Sequence, residues 1–484
     1  MRRAALLWLA IAAGACARGP AVVTILHLND VYEISPVEGG RAGGLARVAT
    51  VVAEYRRTHS PLVATLGGDY LSPSAIGTAR VDGQPLAGRQ MVDVLNGVGV
   101  EWVTFGNHEF DVSEAAFRSR LSEGKFHLVS SNVSDANGQP FPGVPRSTVV
   151  TVSAGGRAIR LGLIGVTIAA NKKPWVKYED GIGAATREVA ALRGQTDAIV
   201  ALTHLSLADD AQLVSTVQGI NVVLGGHEHE NWMMRRGPAF TPVIKADANV
   251  RSVAIVTLSF ANAGARPQVD AHLVTIDDHV APDPAVDATV KKWTTTAFDA
   301  FKRDGFNPDN VVATIPRPLD GRESTVRNSP GELTAIIAAS MLREVKMADV
   351  AIFNGGSVRI DDVVPAGPIR EYDIIRILPF GGKVLQATFD GSLLAQVLDL
   401  GVNNEGTGGY LQTAGVKREN NQWVIGGQPL NSSRKYVVAI NDFLLSGGET
   451  NLGFLTRTNP HVHDVKEFRD IRQAVIEELK GRRP

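Results

Sequence analysis

Five short aliphatic runs set the terms for the first half of the chain: VVTILHLND (22–30), LVATLGGD (62–69), VEWVTFGNHEFD (100–111), AIVALTHLS (198–206) and INVVLGGHEHE (220–230). Their apolar residues are continuous rather than alternating, which is the pattern of strands covered on both faces. Between the first two lies LARVATVVAEYRRTH (45–59), whose apolar spacing predicts an amphipathic helix. Such patterning restricts the chain to a layered α/β domain. Ligands in these architectures collect beyond the carboxyl ends of the strands, where loops converge.

The residues that close the five runs are Asp30, Asp69, Asn107 with His108 and Asp111, His204, and finally His227 with His229. One aspartate after a strand is ordinarily a helix cap or a turn residue. Five consecutive strand ends carrying Asp, Asn or His point instead to metal ligation. A spacing of two on an extended segment puts His227 and His229 on the same side, within reach of two neighbouring ions. Carboxylate, amide and imidazole without sulfur suit Zn, Mn, Fe or Co, whereas calcium takes more oxygen ligands. A paired site needs a bridging carboxylate, and Asp69 in LGGDY is the candidate because its glycines let the backbone turn closely. His27 lies inside the first strand and reads as structural, and the other six histidines fall outside any ligand cluster.

At 484 residues the chain exceeds one core, and two domains are expected. Its 49 Lys and Arg nearly cancel 50 Asp and Glu, which argues against nucleic acid as a main partner but leaves room for a small charged ligand. The opening MRRAALLWLAIAAGAC combines two arginines with an apolar stretch, Ala4 to Ala13, too short to span a bilayer. This predicts an export signal within 1–20. Cys16 is the only cysteine, so disulfides within the chain and thiolate metal sites are excluded. Its place after AGA resembles a bacterial lipoprotein signal, implying a periplasmic or cell-surface protein attached to the membrane through that lipid alone; ordinary cleavage after Ala15 or Ala17 is the alternative. No GxxxxGK[ST] loop, GxGxxG fingerprint or nucleophile elbow competes for the chain.

Prolines and aspartates in DDHVAPDPAV (277–286) break the pattern, and the helix-like VDATVKKWTTTAFDAFKRDGF follows. The expected organisation is a first domain over 21–276, a linker with a helix over 277–310, and a second domain over 311–484. In the second domain, NGGSVR sets Arg359 after a glycine turn, where its fork can meet a phosphate or a ribose.

Taken together, NDVYE, GGDY, GNHEFD, THLS and GGHEHE resemble the ordered motifs of the calcineurin-like metallophosphoesterases, specifically the exported 5'-nucleotidase family. The later stretches resemble that family's separate C-terminal domain. The resemblance implies a four-layer α/β/β/α catalytic domain, a C-terminal α/β substrate-binding domain and two divalent metal ions. It assigns Asp30, Asp69 and His229 to one ion and Asp69, Asn107, His204 and His227 to the other. His108 becomes a catalytic residue near the phosphate, oriented by Asp111. In the second domain it implicates Arg327, Asn354 and Arg359, sets Phe380 and Phe443 on either side of a nucleobase, and leaves Glu449 for the ribose, in GGET where the family commonly has GGDG. The implied reaction releases phosphate from nucleoside 5'-monophosphates, with 2',3'-cyclic nucleotides and UDP-sugars as further substrates, at a site between domains that hinge.

The first motif departs from the family, which has a histidine ligand where this chain has Tyr32. A phenol is a poor ligand for a divalent ion at neutral pH, although phenolate binds a hard trivalent ion such as ferric iron. The reading taken is that Tyr32 packs or hydrogen-bonds and the first ion has fewer protein ligands. Two other functions stay open: the same dimetal chemistry on a non-nucleotide ester, and a surface protein that binds nucleotides with little turnover.

Overall fold

The computed structural model describes residues 21–262 and 264–482, so the expected export signal and Cys16 lie outside the described residues. Two six-stranded sheets form the centre of the first half. Across the first, the strands are Gln268–Thr275, Ser252–Phe260, Ala21–Leu28, Leu62–Leu66, Trp102–Val103 and His127–Leu128. Across the second they are Trp232–Arg236, Thr241–Lys245, Val222–Gly225, Ala198–His204, Arg157–Thr167 and Ser147–Ala154. Ala21–Leu28 runs parallel to Leu62–Leu66, and Ala198–His204 runs parallel to Val222–Gly225. The carboxyl ends of these strands therefore share an edge in each sheet.

The pleat explains the continuous apolar runs. Ile25, Val200, Leu202 and Leu224 face the space between the sheets. Their neighbours Leu26, Leu28 and Leu66 turn outward into a core shared with the helices Leu45–Thr58 and Arg89–Val98. On the opposite side Ala201 and Val223 meet Val189 and Leu213, from the helices Gly181–Leu192 and Leu207–Thr216. Both faces of each central strand are dry, and no position carries a charged residue until the strand ends. The layers are helix, sheet, sheet, helix.

Two sequence-based strands prove shorter than their apolar runs. Of 100–111 only Trp102–Val103 is strand, and His108–Asp111 forms a 3-10 turn. The cause is crowding at the strand ends: a Cβ on Gly68 would overlap Gly106, and one on Gly106 would overlap the Asp69 carboxylate. The last run stops at Gly225 rather than continuing through the histidines.

Pro284–Arg303 is the helix expected within 277–310, and it packs against the first half. Asp283 caps it by accepting from Ala285 N and Val286 N, each at 3.0 Å. Val286, Trp293 and Phe301 are buried along it, and Trp293 Nε1 donates to Asp93 on Arg89–Val98 at 2.8 Å.

The second half holds a five-stranded sheet in the order Leu411–Ala414, Val350–Asn354, Lys435–Asn441, Lys383–Asp390 and Val462–Asp470. Helix Gly391–Asn403 covers one face, and Glu332–Glu344 with Ile471–Gly481 cover the other. Val350–Asn354 is parallel to Lys435–Asn441, so Asn354 and Asn441 end side by side, with Asn441 Nδ2 3.0 Å from Asn354 Oδ1. No helix among the described residues is long and apolar enough to cross a membrane.

The two first-half sheets are pinned together by His27, which is fully buried. Its Nε2 donates to Gly225 O at 3.1 Å, and its Nδ1 accepts from Thr65 Oγ1 at 2.9 Å. Burial holds the imidazole neutral and lowers its pKa from 6.5 to about 4. The unfolded chain takes up this proton first, so the stability from neutral His27 is complete above pH 6.5 and lost as pH falls through 4. Its full extent is about 3 kcal/mol. In urea unfolding with chelator present, the stability gap between wild type and His27→Leu is expected to narrow by about that amount from pH 7 to pH 4.

Candidate metal centre and substrate cavity

Four of the six metal-ligand candidates occupy left-handed backbone: Asp30 at φ 51°, Asp69 at 56°, His227 at 87° and His229 at 60°. Such residues carry strain and persist where their surroundings over-determine them. Here the pins are visible. Asp30 N donates to Gly68 O at 3.1 Å, and its Oδ2 accepts from Asn29 Nδ2 at 2.7 Å and from His227 N at 2.9 Å. The buried Glu109 carboxylate accepts from the amides of Asp69, Tyr70 and Leu71 at 3.0, 2.7 and 3.2 Å, and also from Gly106 N.

The two final histidines do not lie on an extended segment. With the strand ended at Gly225 and positive φ at both, the bend itself separates them. His229 Nε2 comes within 3.6 Å of Asp30 Oδ1, while the His227 ring lies 5.3 Å from that of His204, centre to centre.

His204 shows why this cluster fits a cation. Its Nδ1 donates to Gly67 O at 2.7 Å, which turns Nε2 toward Asp69 Oδ2 at 3.2 Å and Asp30 Oδ1 at 3.9 Å. That Nε2 and the Asn107 Oδ1 are buried with no hydrogen-bond partner. Ligand atoms of Asp30, Asp69 and His204 all lie within 4.8 Å of one another. Lone pairs converging in a dry place need a positive charge between them, and this nitrogen-and-oxygen set suits a divalent transition metal.

The same carboxylates and burial shift the titration of the imidazoles. Burial lowers the His204 pKa, but Asp69 and Asp30 outweigh it and carry it to about 9. Burial likewise opposes His229, which Asp361 and Asp30 carry to about 10. His227 goes the other way, to about 3, through burial and the charge on His204. Asp69 is buried, which raises its pKa, yet His204 and His108 pull it below the carboxylate range.

Tyr32 stands among these groups. Its hydroxyl donates to Asp69 Oδ2 at 3.0 Å and lies 2.9 Å from His229 Nε2 and 3.4 Å from Asp30 Oδ1. Burial, with Asp69 and Asp30 beside it, pushes its pKa well above 10, which favours the phenol.

His108 occupies the rim. Its Nδ1 donates to Asp111 Oδ2 at 2.6 Å, and its Nε2 accepts from Arg359 at 3.0 Å. Asn171, which no motif announced, holds Asp111 from the other side, donating to Oδ1 at 3.0 Å and to Asn107 O at 3.2 Å. Beneath the His227 turn sits another group missed in the sequence: Lys245, fully buried, donates to Leu205 O at 2.6 Å and Gly226 O at 2.7 Å and pairs with Asp210 at 2.9 Å. Its signal was a charge ending the apolar strand TPVIK.

Two cavities open here. The smaller, about 410 Å³, is lined by Asp69, Asn107, His108, His227 and His229 together with Arg327 and Arg359. Arg327 thus faces the carboxylates, and its guanidinium pairs with Glu323. The larger, about 1030 Å³, is lined by Asn354, Arg359, Phe380, Phe443 and Glu449. Asn354 Nδ2 donates to Glu449 at 2.7 Å.

Residues 23–231 match the calcineurin-like phosphoesterase family, and residues 311–456 match the 5'-nucleotidase C-terminal domain. A snake venom 5'-nucleotidase from Naja atra is 23% identical, over 88% of this chain and 90% of its own length. Among solved structures, a 5'-nucleotidase precursor from Thermus thermophilus aligns with a TM-score of 0.78 at 22% identity, covering 95% of this chain and 96% of its own. The sulfate thiohydrolase SoxB from the same organism aligns at 0.70 and 16%, covering 95% and 94%. The chain carries a calcineurin-like phosphoesterase domain followed by a 5'-nucleotidase C-terminal domain, and is a phosphoester hydrolase. Divalent metals are the cofactors that this family implies.

Lys245→Met leaves Asp210 buried beside an apolar chain, and a cost of about 3 to 5 kcal/mol is expected in chemical denaturation. Adding Asp210→Leu is expected to restore most of it.

Proposed function

We propose that the protein releases phosphate from nucleoside 5'-monophosphates, using two divalent cations. The observation that carries this reading is the continuity of the two cavities, which share His108, Asn171 and Arg359 in their linings. A ligand filling both has an anionic ester at the end with carboxylates and imidazoles. Its flat apolar group lies at the other end, where Phe380 and Phe443 stand 56% and 45% exposed. A nucleotide has this construction, and stacking on such rings contributes about 1 to 3 kcal/mol per base. The relative from Naja atra is a 5'-nucleotidase, which supports the same substrate.

Asp30, Asp69 and His229 would hold one cation and Asp69, Asn107, His204 and His227 the other; bound there, the pair polarises phosphoryl oxygens and lowers the pKa of water. The chain's own groups supply the rest. Arg359 stands where the cavities join, and its fork suits a phosphate, whose entry takes the donor now given to His108. With Nδ1–H given to Asp111, Nε2 of His108 is the atom that faces the substrate. In the imidazolium form it carries the proton that a departing ribose 5'-oxygen takes up, while Asp111 stabilises the cation. Glu449 and Asn354 offer oxygen and amide groups to the ribose hydroxyls. The sequence MRRAALLWLAIAAGAC supports export and a lipid on Cys16.

His108→Ala is expected to lower kcat on AMP by about 10²-fold or more while metal content by elemental analysis stays at the wild-type level. Loss of metal in that variant would place His108 among the ligands instead. Phe380→Ala and Phe443→Ala are each expected to raise KM for AMP and spare hydrolysis of a simple aryl phosphate. Equal losses on both substrates would remove the nucleotide from the proposal.

A further inference from the structure

The histidines that present Nε2 to the carboxylate cluster differ in what holds their other nitrogen. For His204 it is the backbone of Gly67, from the same domain. For His229 it is Asp361: Nδ1 donates to Asp361 Oδ2 at 2.6 Å, with the side chains only 14% and 10% exposed. His229 lies in the phosphoesterase match and Asp361 in the C-terminal match.

Asp361 is itself tightly fixed. Its Oδ1 accepts from Glu323 N at 2.8 Å, its carbonyl accepts from Arg251 at 2.9 Å, and its backbone sits at φ 39°. Two residues earlier, Arg359 reaches His108. One residue later, Asp362 lies 3.4 Å from Arg251 and 3.5 Å from Arg376, and Arg376 pairs with Glu33 at 3.1 Å. A single turn of the C-terminal segment thus sets the far nitrogen of one metal-side imidazole and contacts the catalytic one. Outer partners of this kind fix the ring and raise its strength as a ligand, and their loss typically costs about 10- to 100-fold in metal affinity.

We propose that Asp361 is a positioning residue through which the C-terminal domain controls retention of the cation on the Asp30–His229 side. The cation on the His204 side is held without its help. The inference rests on the dimetal reading above. By reciprocity, whatever docks this segment strengthens that one cation site, and loading the site strengthens docking. Nucleotide entering between Phe380, Phe443 and Arg359 is one such docking agent.

The test uses the full chain, titrated with Mn or Zn in chelator-buffered solution and followed by elemental analysis. Wild type is expected to bind two cations. Asp361→Asn keeps the size and one acceptor oxygen; it is expected to lose about 10- to 100-fold in affinity for one cation and nothing for the other. Asp361→Glu, which restores the carboxylate, is expected to recover part of the loss. Melting in excess chelator checks that the variants fold as wild type does. Hydrogen exchange gives the reciprocal readout: metal is expected to slow exchange at the Glu323 amide in wild type and to do so less in Asp361→Asn. Wild-type affinity at both sites in Asp361→Asn, an equal loss at both, or no effect of metal on the Glu323 amide overturns the inference and leaves the dimetal reading standing. Fewer than two cations on wild type overturns both.

Discussion

Two carboxylates out of water, with imidazole lone pairs turned toward them, set the terms for the rest of this molecule. Asp30 and Asp69 are 0% and 1% exposed, and isolated charges in such a place cost several kcal/mol each. The surrounding structure supplies what compensates them: amide donors on Asp30 Oδ2, the His108 amide on Asp69 Oδ1 at 2.8 Å, and a pocket whose remaining ligand atoms ask for cations. The left-handed backbone at both residues, the touching glycines and the buried Glu109 serve this arrangement.

Much of the fold was legible because the physics there is local. Continuous apolar strands declare that both faces are covered, and the two sheets bear this out residue by residue through Ile25 and Leu26. The strand ends were legible too, since Asp30, Asp69 and His204 interrupt apolar runs where a buried strand tolerates no charge. What stayed hidden depends on approach rather than pattern. The separation of His227 from His229 comes from positive φ after Gly225, and no period of two or 3.6 encodes it. Asn171 and Asp361 act on residues 60 and 132 positions away, in stretches without apolar rhythm, so only the folded chain brings them to the site. Tyr32 was visible as a departure from the family, but its three close neighbours were not.

The two halves are less separable than their sequence suggests. One buried apolar cluster contains Leu26 and Phe105 as well as Phe353 and Ile375. Polar contacts accumulate on top of it, with Arg376 on Glu33 and Arg359 on His108, and an interface with such partners favours one relative placement over many. The helix Pro284–Arg303 adds to this by packing on the first domain, which shortens the free tether between them.

The direction of the first strand has a further implication. Ala21–Leu28 enters the sheet at the edge opposite the one that carries Asp30, and its eight residues span roughly 26 Å. Ala21 therefore lies at the back of the domain, away from the carboxylates. The amino end of the described chain and the mouth of the cavities thus stand at opposite ends of the first sheet, with the length of a whole strand between them.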